Sequence, residues 1–279
     1  MIHKFKPFIE STNYKPKTRS VKLNMGVDEA LETYAPWYDW ECETPLYRAV
    51  GKYIGEAALL DPIKHYRKPD NKATVYQLLM DEWSAIGYPI RSKSVICSTT
   101  TERLSIYGTN LYRVIPIKEN SSVAFCPTSD MWAAFNMNEM EKYFKGFSRT
   151  HSLNSLSMFF QQYVFKNDSV YKTEDIEELK KFLDNVCDKI KKGENEKIIK
   201  RGMVDEFFEK YPGGIFELLE KTISPNNPPG KNSYSFSEME FVLENYNNQT
   251  NIQTTNAAGR EAYTSEECLL IRDYNPYIY

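Results

Sequence analysis

The chain has no CxxC pair, which argues against a zinc ribbon or a thioredoxin-type redox centre. It has no GxGxxG, no GxxxxGK[ST] and no HExxH, so the usual nucleotide and metalloprotease motifs are missing. A GxSxG nucleophile elbow is missing too. Histidine is scarce, with only His3, His65 and His151, and this leaves few candidates for imidazole acid–base work. No apolar run approaches the ~18 residues of a membrane span. The first residues, Met-Ile-His-Lys-Phe-Lys-Pro, lack the apolar core of a signal peptide. Five cysteines, at 42, 97, 126, 187 and 268, are scattered and odd in number, which suits a reducing compartment. The expected location is therefore cytoplasmic, with no membrane contact. A net charge of −3 gives no global basic field for nucleic acid.

What is present is an ordinary globular composition: 279 residues, 41% hydrophobic and 26% charged. A chain of this length buries a substantial core. The 20 tyrosines and 15 phenylalanines supply core packing first and stacking surfaces second.

Periodicity predicts strands at both ends and helices between. Residues 1–24 are basic and polar, as in an extended arm or edge strand. Apolar residues at helical spacing predict helices over 27–40, 73–86 and 173–191, and another within 204–219 broken by Pro212-Gly213-Gly214. A further helix is expected over 236–246, capped by Ser237, and one from Pro127 to Asp130 onward. Strands are expected over 45–51, 91–97, 112–118, 122–126 and 267–272. Asn- and Thr-rich residues 247–260 predict a mobile loop. The fold class expected is α+β, one domain over 1–279 with a helical insertion at about 140–233. The eight basic residues between Lys180 and Arg201 have acids interleaved, the pattern of a solvated helix face. Docking of nucleic acid or an acidic partner is the functional alternative for them.

Three short segments stand apart from this background. Tyr47-Arg48 lies in the strand started by Pro45. Ser98-Thr99-Thr100 ends the next apolar run and caps a helix leading to Tyr107-Gly108. Glu267 directly precedes Cys268-Leu269-Leu270-Ile271. Each alone is commonplace: a surface arginine, a helix cap, a strand-edge charge.

In this order and context they resemble the ADP-ribosyltransferase family, in its arginine–serine–glutamate branch. The resemblance covers about 44–135 and 255–275, and resembles toxin-like members from phages and bacteria. It implies a split mixed or antiparallel sheet with flanking helices, NAD as substrate and no metal. It implies transfer of ADP-ribose to a macromolecular acceptor, whether protein, RNA or DNA, by a toxin, phage effector or phage-defence enzyme. An antitoxin or other inhibitor is an implied partner. The catalytic residues implied are Glu267, Arg48 and Ser98, with Glu261 and Glu266 as other placements of the carboxylate. Tyr47, Arg48, Ser98, Thr99, Thr100 and Tyr107 are the implied NAD contacts.

The chemistry suits those residue types. Cleaving the nicotinamide–ribose bond releases a neutral leaving group and leaves an oxocarbenium-like sugar. A carboxylate on the ribose 2′-OH binds more tightly as that charge develops. A guanidinium fork suits the phosphates or the ribose. Arginine-modifying members carry Glu or Gln two residues before the catalytic glutamate, and Ser265 stands there relative to Glu267. The acceptor is thus open. An NAD glycohydrolase and a non-enzymatic binding module of the same fold are the alternatives.

Overall fold

The computed structural model describes residues 20–63, 74–102, 104–129, 138–145, 176–194, 198–222, 241–253 and 259–274. The chain divides into two compact units. One comprises 1–70, 88–125 and 242–279, and the other 71–87 and 126–241. Asp130 and most of the basic arm over 1–24 lie outside the described residues.

The first unit is built on a nine-stranded sheet. Its strands are β1 (Ser20–Lys22), β2 (Tyr47–Val50), β3 (Ala57–Leu60), β4 (Val95–Ser98), β5 (Asn110–Pro116), β6 (Ser121–Phe125), β7 (Val242–Tyr246), β8 (Glu261–Thr264) and β9 (Cys268–Arg272). Their order is β1-β3-β9-β5-β2-β4-β8-β6-β7, and every pairing described is antiparallel. The architecture is α+β, combining helices with an open antiparallel sheet.

Burial explains the strand compositions. The run Cys-Leu-Leu-Ile of β9 lies between β3 and β5 and is covered on both faces, so it does not alternate with polar residues. Edge strand β1 reads Ser-Val-Lys and is half to fully exposed, with Lys22 discouraging further pairing. Helix α1 (Val27–Tyr34) stops at Ala35-Pro36. Its Ala30, with Ala35, packs against Ala57, Ile115, Leu269 and Ile271. The small alanines let the helix approach the sheet closely. Asp28 lies in the first turn of α1, and Gly26 occupies the cap position.

The sheet has a narrow waist. Strands β1, β3, β9, β5 and β2 form one group, and β4, β8, β6 and β7 another. The two meet through a single residue pair, Tyr47 with Ser98. One core nevertheless serves both groups: Leu46, Tyr112, Val114 and Leu270 pack in the same cluster as Val95, Cys97, Ala262 and Phe125.

Several expected elements differ. The segment after Ser98-Thr99-Thr100 is a 3₁₀ turn, Leu104–Ile106, because Gly108 follows too soon for a longer helix. Residues 242–246 form β7 rather than a helix, since they complete a five-residue ladder with β6. Arg91–Lys93 is a 3₁₀ turn preceding β4. Strand β8 lies where periodicity showed no element.

The second unit is helical over its described residues. It contains α2 (Thr74–Glu82), α3 (Asn138–Tyr143), α4 (Ile176–Lys191), α5 (Val204–Lys210) and α6 (Gly214–Thr222). Helix α4 turns Leu179, Leu183, Val186 and Ile190 inward and its lysines outward. Gly214 has φ 71°, and a Cβ there would stand 2.5 Å from Cys187 Sγ, so the break between α5 and α6 needs glycine.

Candidate functional site

The waist gathers most of the singled-out residues. Tyr47 on β2 pairs with Ser98 on β4, and Ser98 pairs with Glu261 on β8. Directly opposed residues of antiparallel strands point to the same face. Tyr47, Ser98 and Glu261 thus form one row across three strands. All three are buried.

The turn after β4 ties this row to the chain entering β8. Thr99 N donates to Arg260 O at 2.9 Å, and Arg260 N donates to Thr99 Oγ1 at 2.8 Å. Thr100 N donates to Ser98 Oγ at 3.2 Å, which holds the serine hydroxyl over its own turn. Gly259, with φ 66°, packs on both threonines. A Cβ there would stand 2.6 Å from Thr99 Oγ1 and 2.6 Å from Thr100 Cγ2. Thr100 Oγ1 is buried and has no hydrogen-bond partner among the described residues.

Arg48 belongs to the alternate set of side chains on β2. It spans the waist where the β2–β4 ladder fails, its Nη1 donating to Ile96 O at 2.7 Å. The guanidinium replaces a backbone bond there. Its remaining N–H groups have no partner among the described residues. Arg48 is half-buried, so they face a partly wet environment.

Glu261 is the carboxylate at this row. Arg91 Nη2 donates to Glu261 Oε1 at 2.9 Å, and the two side chains are 8% and 11% exposed. Tyr47 carries the Arg113 guanidinium 5.5 Å from its ring centroid. Burial raises the Tyr47 phenol above its ordinary value, with Arg113 opposing. Behind the row, burial pushes the Cys97 thiol up to about 12, so it is a protonated core group.

Glu267 is not at the row. It is exposed, it precedes β9, and β5 and β2 stand between β9 and β4 in the sheet. Its carbonyl accepts a hydrogen bond from Ile117 N at 2.9 Å. Ile271, four residues further along β9, is the one level with Tyr47 through Arg113. Four residues of strand span about 13 Å. Glu266 N caps back to Thr264 Oγ1 at 3.2 Å in the same crossover. Tyr107 is exposed, at 57%, and its neighbour Gly108 packs on the Val50 end of β2. Sequence reasoning thus brought Tyr47, Ser98, Thr99 and Thr100 to the waist, and left Glu261 as an alternative. It missed Arg91, Gly259 and Arg260. Gly259-Arg260-Glu261 before the alternating Ala-Tyr-Thr was the available signal.

The polar loop over 247–252 is tightly bonded rather than free. Asn248 Nδ2 donates to Trp37 O, Asp39 N donates to Asn248 Oδ1, and Ile252 N donates to Thr44 Oγ1 at 3.0 Å. This fixes one end of the segment leading to Glu261.

Among the described residues, no cluster of three or more His, Cys, Asp or Glu side chains is placed to hold a metal ion. No helix there is long and apolar enough to cross a membrane.

Comparison with protein families, characterised proteins and solved structures finds no match.

Proposed function

We propose that this protein is an NAD-dependent mono-ADP-ribosyltransferase acting on a macromolecular acceptor. One observation carries the reading. The Tyr47–Ser98–Glu261 row sits at the waist of a sheet that is nearly split in two, and Arg48 bridges the same waist from the opposite face. This is the set of residue types the chemistry requires, drawn from three separate chain segments.

Glu261 takes the carboxylate role in place of Glu267. It would accept the ribose 2′-OH and stabilise the positive sugar as the C1′–N bond breaks. The bonding pair leaves with nicotinamide, which departs neutral. The acceptor nucleophile then bonds to C1′ and releases its proton to solvent. Ser98, the strand partner of Glu261, would orient the carboxylate or the ribose through its hydroxyl. The Arg48 guanidinium, on the other face of β2, would hold the waist together through its bond to Ile96 O. Thr99 and Thr100 hold the turn rather than reach the substrate.

In arginine-modifying members of the family resembled, the position two residues before the catalytic glutamate carries Glu or Gln. With Glu261 in that role the position is Gly259, which has no side chain to offer. This favours an acceptor other than arginine.

The test uses the full-length protein and NAD labelled in the adenylate half. Nicotinamide release and label on protein, RNA and DNA are measured together. Release with transfer to one polymer supports the reading. Release without transfer marks a glycohydrolase, and absence of release overturns both.

A further inference from the structure

We propose that Trp40 and Arg113 form the subsite for the adenylate half of NAD, with Arg113 on the pyrophosphate and Trp40 against the adenine. This inference rests on the transferase reading. The row at the waist does not end at Tyr47. On β5, Arg113 stands directly opposite Tyr47, so its side chain points to the same face as Tyr47, Ser98 and Glu261.

The Arg113 guanidinium lies against two rings. Its central carbon stands 4.4 Å from the ring centroid of Trp40 and 5.5 Å from that of Tyr47. Trp40 is thereby placed on the face of the row, beside the end away from Glu261. Three hydrogen bonds lock the fork. Nε donates to Asp273 Oδ2 at 3.2 Å, and Nη1 donates to the Tyr38 hydroxyl at 3.1 Å and to Trp40 O at 2.9 Å. The last bond pins the backbone of the residue whose ring the same guanidinium supports. Tyr38 meets the Trp40 ring at an interplanar angle of 76°, with centroids 6.0 Å apart. The indole is thus held on several sides, yet Trp40 remains 39% exposed. A large ring that is both held and exposed suits base stacking, because little side-chain freedom is left to lose.

Arg113 also keeps a donor free. Its Nη2 makes no hydrogen bond among the described residues, and Asp273 meets the fork through Nε. A guanidinium fixed along one edge, with Nη2 left over, suits a phosphate oxygen. The groups on this face then follow the order of parts in the dinucleotide. Glu261 comes first for the nicotinamide ribose, Arg113 next for the phosphates, and Trp40 last for the adenine. Glu261 and Arg113 are three strand pairings apart, about 15 Å along the sheet. An extended dinucleotide covers that span.

The experiment compares full-length wild type, Trp40→Ala and Trp40→Phe, each checked for folding by circular dichroism. AMP, which carries the adenylate half alone, is the binding probe, followed by calorimetry. Trp40→Ala is expected to weaken AMP binding by about tenfold or more, the scale of losing one stacking ring. Trp40→Phe keeps a ring and is expected to stay within about threefold. In nicotinamide release, Trp40→Ala is expected to raise KM for NAD by a similar factor with kcat within about twofold, because ground and transition states lose the same contact. If Trp40→Ala does not fold, Trp40→Leu, which keeps bulk over Arg113 without a ring, carries the same expectations. AMP binding as tight in the folded ringless variant as in wild type overturns the subsite, and so does absence of AMP binding by wild type at millimolar concentration. Trp40-dependent AMP binding without nicotinamide release overturns the transferase reading and leaves the adenylate subsite standing. Release by wild type with an unchanged KM in the ringless variant does the reverse.

Discussion

Thr99 and Arg260 exchange two backbone-anchored hydrogen bonds, one in each direction, at 2.9 and 2.8 Å. Such a reciprocal pair fixes register, because a one-residue slip would break both bonds and turn every side chain of β8 to the other face. The register it fixes sets Glu261 opposite Ser98. Gly259 makes the exchange possible by letting the chain pass over Thr99 and Thr100 at distances no Cβ tolerates.

The first prediction separates the two glutamates. Glu261→Gln is expected to reduce the kcat of nicotinamide release by at least about 10²-fold, the scale of losing one group that stabilises developing charge. Glu267→Gln is expected to stay within about twofold, since its side chain is exposed in the crossover before β9. Steady-state release by each full-length variant, checked for folding by circular dichroism, decides it. A large loss in Glu267→Gln with little change in Glu261→Gln reverses the assignment.

The two glutamates also mark how far the sequence was legible. Long periodic helices such as 176–191 were readable, because one inward face settles them. The apolar run of β9 was readable because it is buried on both faces. What could not be read was partnership. Most neighbouring strands in the sheet are far apart in the chain, and β6 and β7 pair across the whole interval from Phe125 to Val242. Local pattern carries no record of such pairings. Residues 236–246 therefore look helical on the spacing of Met239, Val242 and Leu243, and over 242–246 tertiary pairing overrides that spacing. In the same way, a glutamate before the strongest apolar run drew attention to Glu267. The shorter strand at 261 was the one that met Ser98. Arg91 was invisible because nothing local distinguishes a buried arginine from an exposed one.

Gly108 supports a second prediction. A Cβ at this position would stand 2.2 Å from Val50 C and 2.5 Å from Gly51 N, both backbone atoms that cannot swing aside. Gly108→Ala is expected to destabilise the protein by about 2–4 kcal/mol, as overpacking against backbone does. Gly51 is the control, because a Cβ there would meet nothing within 4 Å. Gly51→Ala is expected to stay within about 0.5 kcal/mol. Urea unfolding of the two variants beside wild type measures both. Equal stability of the two would show that the turn at Tyr107-Gly108 relaxes freely away from β2.

The core thiols make the last prediction, on alkaline stability. Burial raises the Cys97 thiol from 9.0 to about 12, and burial also raises Cys268 well above its ordinary value. Both are acids whose neutral form the fold prefers. Below pH 9 the thiols are protonated whether the chain is folded or not, and their contribution is fully present. Above pH 9 the unfolded chain releases these protons while the folded chain keeps them. The unfolded state then binds fewer protons, so stability falls as pH rises. For Cys97 the window runs from about 9 to about 12. Urea midpoints are therefore expected to fall steadily between pH 9 and 11. Cys97→Ala, which removes one titrating group from the cluster with Val95, Ala262 and Leu270, is expected to show a shallower fall. Midpoints measured for both proteins at half-unit steps test this. A wild-type midpoint that is flat from pH 8 to 11 would contradict thiols held neutral in the core.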